Sequence, residues 1–206
     1  MEARLVGDHA LLLQCSGPDE VRAAYAEARR RQDSGELTCT DVVPGATTLL
    51  LDGLREPGSV LGGLADWSLE VAGEDAGPLV ELSVTYDGPD LEPVAKHCAM
   101  DVDEVVRRHR QTEFVVAFCG FAPGFAYLSG LPEELHVPRR ESPRSTVPSG
   151  SVGLAGAFTG VYPRSSPGGW QLIARTGERL WDADRDPPAL LTPGTRVRFV
   201  DGDPDG

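Results

Sequence analysis

The sequence predicts an α+β protein built in two parts, on three observations. Strand and helix signals alternate over residues 1–77. Over residues 78–200, short strand signals are punctuated by Gly and Pro, the pattern of a β-barrel or sandwich. Between them the acidic, small-residue stretch Ala72–Pro78 reads as a linker.

In the first part, ALLLQC at Ala10–Cys15 is a short apolar strand. Gly17-Pro18-Asp19 then opens a helix over Val21–Gln32, with Pro18 near its first turn. Leu37–Val43 and Thr47–Leu51 form a hairpin about Pro44-Gly45. A glycine-weakened helix over Val60–Trp67 and a strand near Leu69–Val71 follow. The order β-α-β-β-α-β is that of a split βαβ, or ferredoxin-like, domain.

The second part opens with LVELSVTY at Leu79–Tyr86, whose alternation suits a half-buried strand. Two helices at 91–110 come next, Leu91–Cys98 and Val102–Arg110, the second capped by Asp101 with Glu104 at capping-box spacing. The pair superficially resembles a DNA-reading helix-turn-helix, but its connector lacks glycine and the chain is acidic, so it reads as helices packed on a sheet. Strands are expected at Glu113–Cys119, Val152–Ala155, Trp170–Arg175 and Arg196–Val200, with an acidic tail over residues 201–206.

The net charge of −13 excludes a general nucleic-acid or membrane-surface binder. No apolar run approaches a membrane span, and the start carries no basic n-region, so a cytoplasmic protein is expected. Charge is unevenly spread. Met1–Pro78 holds 6 Arg and 14 acidic residues, whereas Gln111–Arg175 holds 5 Arg and 4 Glu. That neutral, arginine-bearing segment suits an anionic small molecule or an acidic partner. The four cysteines are scattered with no CxxC pair, so neither zinc nor a disulfide framework is expected.

No phosphate loop, dinucleotide fingerprint, HExxH or nucleophile elbow is present, and no catalytic residue can be assigned. Cys119 lies in an apolar setting that raises a thiol pKa, and His136 stands alone, so neither makes a strong catalyst. What remains is a binding surface. More than a quarter of the residues from Phe118 to Arg175 are Gly or Pro, against about 12% on average. Aromatic residues are interleaved throughout, which argues for rigid loops on a scaffold. Arg139, Arg140 and Arg144 offer forked donors for carboxylate or phosphate. Tyr127, Ser151, Thr159 and Tyr162 offer hydroxyls, and Phe121, Phe125 and Trp170 offer walls.

The blocks GFAPGFAYLSGLP, PRRESPR, VPSGSVGLAG and TGVYPRSSPGGWQLIART resemble those of the 5-oxoprolinase B-subunit family. This is also called the Kip-type sporulation kinase inhibitor, or allophanate hydrolase subunit 1, family. Ser149, Phe158 and Ala174 depart from its pattern, where Ala, a polar residue and Gly are expected. The resemblance implies a cyclophilin-like barrel for the second part. It also implies partner subunits A and C, with which the complex hydrolyses 5-oxo-L-proline to L-glutamate using ATP. ATP would be a co-substrate of the complex, not held by this chain alone, and the isolated chain would be inactive. Arg139 or Arg144 would then pair with the substrate carboxylate or a phosphorylated intermediate. Tyr127, Ser151, Thr159 and Tyr162 would orient the amide, and Phe125 and Trp170 would line the pocket or the contact with the C subunit. Two alternatives follow from the same family: histidine-kinase inhibition, and the acceptor half of a carboxyltransferase in urea or allophanate metabolism.

Overall fold

The computed structural model describes residues 1–69 and 77–202. The chain divides into two compact units, Met1–Ala76 and Gly77–Gly206.

The first unit is a four-stranded antiparallel sheet backed by a helix. Strands β1 (Glu2–Val6), β2 (Ala10–Gln14), β3 (Asp41–Pro44) and β4 (Thr48–Asp52) lie in the order β1-β2-β4-β3. Helix α1 (Pro18–Asp33) starts on Pro18, where the missing N–H costs nothing. Its small face, Ala24 and Ala28, packs on Leu11, Leu13, Leu49 and Leu51, the inward residues of β2 and β4. Glu27, buried on the same helix, is held by Arg30 and Arg31 at 2.8 and 2.6 Å. Those bonds outweigh burial and bring its pKa down to about 2. Helix α2 (Pro57–Gly63) is shorter than expected and passes into a 3-10 turn at Leu64–Asp66. The strand expected near Leu69–Val71 falls largely outside the described residues. Beside β2 lies β1 instead, a strand the sequence reading did not contain.

The second unit is a cyclophilin-like barrel. Its main strands are β5 (Leu79–Val84), β6 (Phe114–Cys119), β7 (Ala126–Ser129), β9 (Ser151–Ala155), β10 (Phe158–Val161), β12 (Gln171–Arg175) and β13 (Arg196–Asp201). They form one seven-stranded sheet in the order β12-β9-β10-β7-β6-β13-β5. All pairings in it are antiparallel except β5 with β13. The sheet closes where Thr85, just past β5, exchanges two backbone hydrogen bonds with Arg175, at 2.8 and 2.9 Å. A separate two-stranded ribbon, β8 (Arg144–Val147) with β11 (Ser166–Gly168), carries Arg144, with Arg139 and Arg140 in the loop before it. Helices α3 (Leu91–His97) and α4 (Val102–Gln111) fill the crossover after β5 and bury Leu91, Val94, Ala95 and Val105 against the barrel. The Asp101 carboxylate caps α4 by accepting from the Glu104 N–H at 2.7 Å. Glu104 turns its own side chain to Arg107 and Arg108 rather than completing the box. Of the expected acidic tail, Asp201 ends β13 and residues 203–206 lie outside the described residues.

A polar chain crosses the barrel interior at His109 of α4, which is fully buried. Thr159 has one hydroxyl proton and gives it to the Gly153 carbonyl, at 3.1 Å. Thr159 must therefore accept from His109 Nε2–H, also at 3.1 Å. Nδ1 is left bare and accepts from the Tyr86 hydroxyl at 2.7 Å. Every donor in the chain points the same way, and the imidazole is neutral. Phe114 and Phe199 flank it at 5.1 and 4.6 Å between ring centroids. Burial drives its pKa down to about 3.

The unfolded chain therefore binds a proton near pH 6.5 that the folded chain refuses until about pH 3. Stability present above pH 6.5 is lost as pH falls, by up to about 1.4 kcal/mol per unit. Urea midpoints between pH 6.5 and 5.5, above the range where the unfolded chain's carboxylates take up protons, should show this slope. The His109→Gln variant should lack it. Equal slopes would contradict the neutral assignment.

Candidate functional site

The arginine-bearing segment is organised by one carboxylate. Asp90 precedes α3 and is locked to β12 twice: its N–H donates to the Leu172 carbonyl at 2.9 Å, and Leu172 N–H donates to Asp90 Oδ2 at 2.7 Å. Oδ1 accepts from Arg140 Nη1 at 3.0 Å and from Arg144 Nη2 at 2.8 Å. Burial alone would raise the Asp90 pKa. The Arg144 bond, the Leu172 N–H and the two guanidinium charges outweigh that and lower it. Backbone bonds fix the arginines as well. Arg140 N–H donates to Gly169 O at 2.8 Å, and Arg144 lies opposite Gly168 in the ribbon. Arg139 is exposed.

Next to the ribbon stands an aromatic stack. Tyr162 is buried, and its phenol lies so close to Gly168 that a Cβ there would collide with the ring and hydroxyl. Burial raises the Tyr162 pKa, against the opposing pull of the Trp170 backbone and of Arg139 and Arg144. Phe125 meets Tyr162, Trp170 and Tyr127 edge to face, with centroids 5.3, 5.4 and 5.0 Å apart. Tyr127 also stacks on Phe118 at 4.3 Å.

The loop between β6 and β7 presents Phe121 outward. Its φ is +70°, and Ala122 N–H bonds back to Gly120 O at 2.8 Å, an i to i+2 turn of the strained, positive-φ kind. The ring is 60% exposed, backed edge-on by Phe125 at 5.3 Å. Trp181, 40% exposed, flanks the same loop across Gly124.

The structure thus brings Arg139, Arg144 and Tyr162 together beside Phe121, Phe125 and Trp170. Ser151 is buried at the start of β9, where its carbonyl accepts from Tyr162 N–H at 2.9 Å. Tyr127 is half-buried within the stack. Thr159 is not part of the group: it is sealed in the barrel interior with its hydroxyl spent on His109 and Gly153, so it cannot reach a ligand. The sequence reading missed Asp90. Nothing in YDGPDLEP sets it apart from a surface turn, since its partners lie 50 and 54 residues on. Cys119 is half-buried, with its thiol pushed up to about 11 by desolvation. Among the described residues no grouping of His, Cys, Asp and Glu could hold a metal, and no helix is long and apolar enough to cross a membrane.

Known proteins share both the sequence blocks and the architecture. The family described as carboxyltransferase domain, subdomain C and D, matches residues 1–191. The chain is 41% identical over 207 residues to the 5-oxoprolinase B subunit of Escherichia coli O157:H7, covering 95% of this chain and 94% of that protein. The solved chain of TTHA0988 superposes with a TM-score of 0.81 at 31% identity, covering 95% of this chain but only 40% of its own length. Urea carboxylase of Kluyveromyces lactis has a TM-score of 0.71 at 17% identity, covering 98% of this chain and 22% of its own, a likeness of fold.

The tight seat of Tyr162 on Gly168 gives a direct check. Gly168→Ala should shift the buried ring and destabilise the second unit by about 1–3 kcal/mol, read from urea unfolding. An unchanged midpoint would show that the ribbon has slack.

Proposed function

The chain belongs to the family of carboxyltransferase domains, subdomains C and D, and from that membership we propose that it works as the B subunit of an ATP-dependent 5-oxoprolinase. The observation that carries this is the end-to-end likeness to a protein of that name: 41% identity covering 94% of it and 95% of this chain. A B subunit implies a multi-subunit assembly, in which subunits A and C are the expected partners.

5-Oxo-L-proline is a small lactam with a carboxylate, and the second unit offers a surface of matching chemistry. Arg139 and Arg144 pair with the carboxylate, or with the charge of a phosphorylated intermediate. Tyr127 orients the amide, while Tyr162 backs the ribbon at Gly168 and Ser151 holds the Tyr162 backbone, neither reaching the substrate. Phe125 and Trp170 form the wall. ATP is consumed by the complex and is not held by this chain alone, which has no P-loop sequence. Amide activation and hydrolysis therefore need the other subunits, and the isolated chain is inactive.

The test is 5-oxoproline-dependent ATP hydrolysis by this chain alone, by subunits A and C together, and by all three. Activity is expected only in the complete mixture. No activity in a mixture whose subunits demonstrably bind one another would overturn the reading.

A further inference from the structure

Asp90 has no role in the reaction outlined above, yet it holds Arg144, which does, and Arg140 beside it. Its side chain is 3% exposed, while Arg140 and Arg144 keep 35% and 22%. Among the described residues it is the only acid within ion-pair reach of either arginine. Two guanidinium groups share one carboxylate oxygen, so the cluster carries a surplus positive charge. Donors are in surplus too: Arg140 Nε and Arg144 Nη1 are buried without a hydrogen-bond partner. A clamp that only tied the ribbon to the barrel would need one arginine and would leave no buried donor unpaired.

The carboxylate itself cannot turn. Oδ2 is fixed by Leu172 N–H, and the Asp90 backbone is fixed by the Leu172 carbonyl. Each guanidinium is thus anchored by Asp90, and its backbone by Gly169 for Arg140 and by the ribbon for Arg144, while both side chains stay partly exposed. Preorganised donors of this kind bind a planar carboxylate without the cost of ordering long side chains.

Resting on the oxoprolinase reading, we infer that Asp90 is a positioning residue: it holds Arg140 and Arg144 as a fixed cationic platform for the carboxylate of the lactam substrate, without touching the substrate. Arg140, one of the forked donors in the sequence but given no role by the family resemblance, joins Arg144 as a docking residue.

The experiment uses the reconstituted three-subunit complex, with steady-state kinetics and calorimetric titration of 5-oxoproline. Asp90→Asn should raise KM about tenfold or more with kcat within about twofold, and weaken binding by the same factor, the signature of lost ground-state and transition-state binding alike. Asp90→Asn/Arg140→Gln keeps the cluster at one net positive charge and removes the unpaired guanidinium. It should still bind about tenfold more weakly although the cluster's charge is unchanged, because the Arg140 contact and the orientation of Arg144 are lost. Wild-type KM in either folded variant, or a loss confined to kcat, overturns the inference. So does failure of both variants to fold, which would assign Asp90 to the fold alone. A wild-type complex that neither binds nor turns over 5-oxoproline would instead overturn the substrate reading, and the platform's ligand with it.

Discussion

The two hydrogen bonds between Thr85 and Arg175 are the constraint on which the second unit depends. They turn an open seven-stranded sheet into a closed one, which covers the edges an open sheet would expose. They also set the course of the next residues. After Thr85 the chain follows β12, with Gly88 N–H donating to Ile173 O at 3.1 Å and Asp90 N–H to Leu172 O at 2.9 Å. Without closure Asp90 would not lie beneath the ribbon, and the arginines would have no common anchor. A single backbone junction thus connects the barrel's integrity to the geometry of its charged surface.

The fold was legible where local signals were strong. Helices α3 and α4, β5 and β13 follow from apolar periodicity and from the Asp101 cap, all properties of a few adjacent residues. Strand β1 was not legible, because an exposed edge strand reading EARLV has no buried face to impose alternation. Strand β9 was read to within one residue, from its run of small and apolar residues, whereas β10 was missed. It is buried nearly throughout, so its residues do not alternate, and its glycine reads as loop.

The site divides in the same way. Its arginines and aromatics could be picked out by type, since forked donors and large rings in a Gly- and Pro-rich stretch have few other uses. Thr159 and Asp90 could not be sorted from sequence. Whether a hydroxyl is free or spent depends on His109, 50 residues away, and whether an aspartate is a turn residue or a buried anchor depends on partners at similar separation. Contacts of that span leave no local trace. The strain at Phe121 was equally silent, because a phenylalanine gives no sign that its backbone is held at positive φ.

Strand β13 is the last of the barrel in the chain, yet it lies between β5 and β6, two of the first. During synthesis both neighbours therefore wait with open edges until the residues up to Asp201 have emerged. The barrel cannot assemble progressively from its N-terminal side, because its final strand is an interior stave. Such a topology makes folding slow and all-or-none, and it places the period of greatest aggregation risk before β13 has emerged.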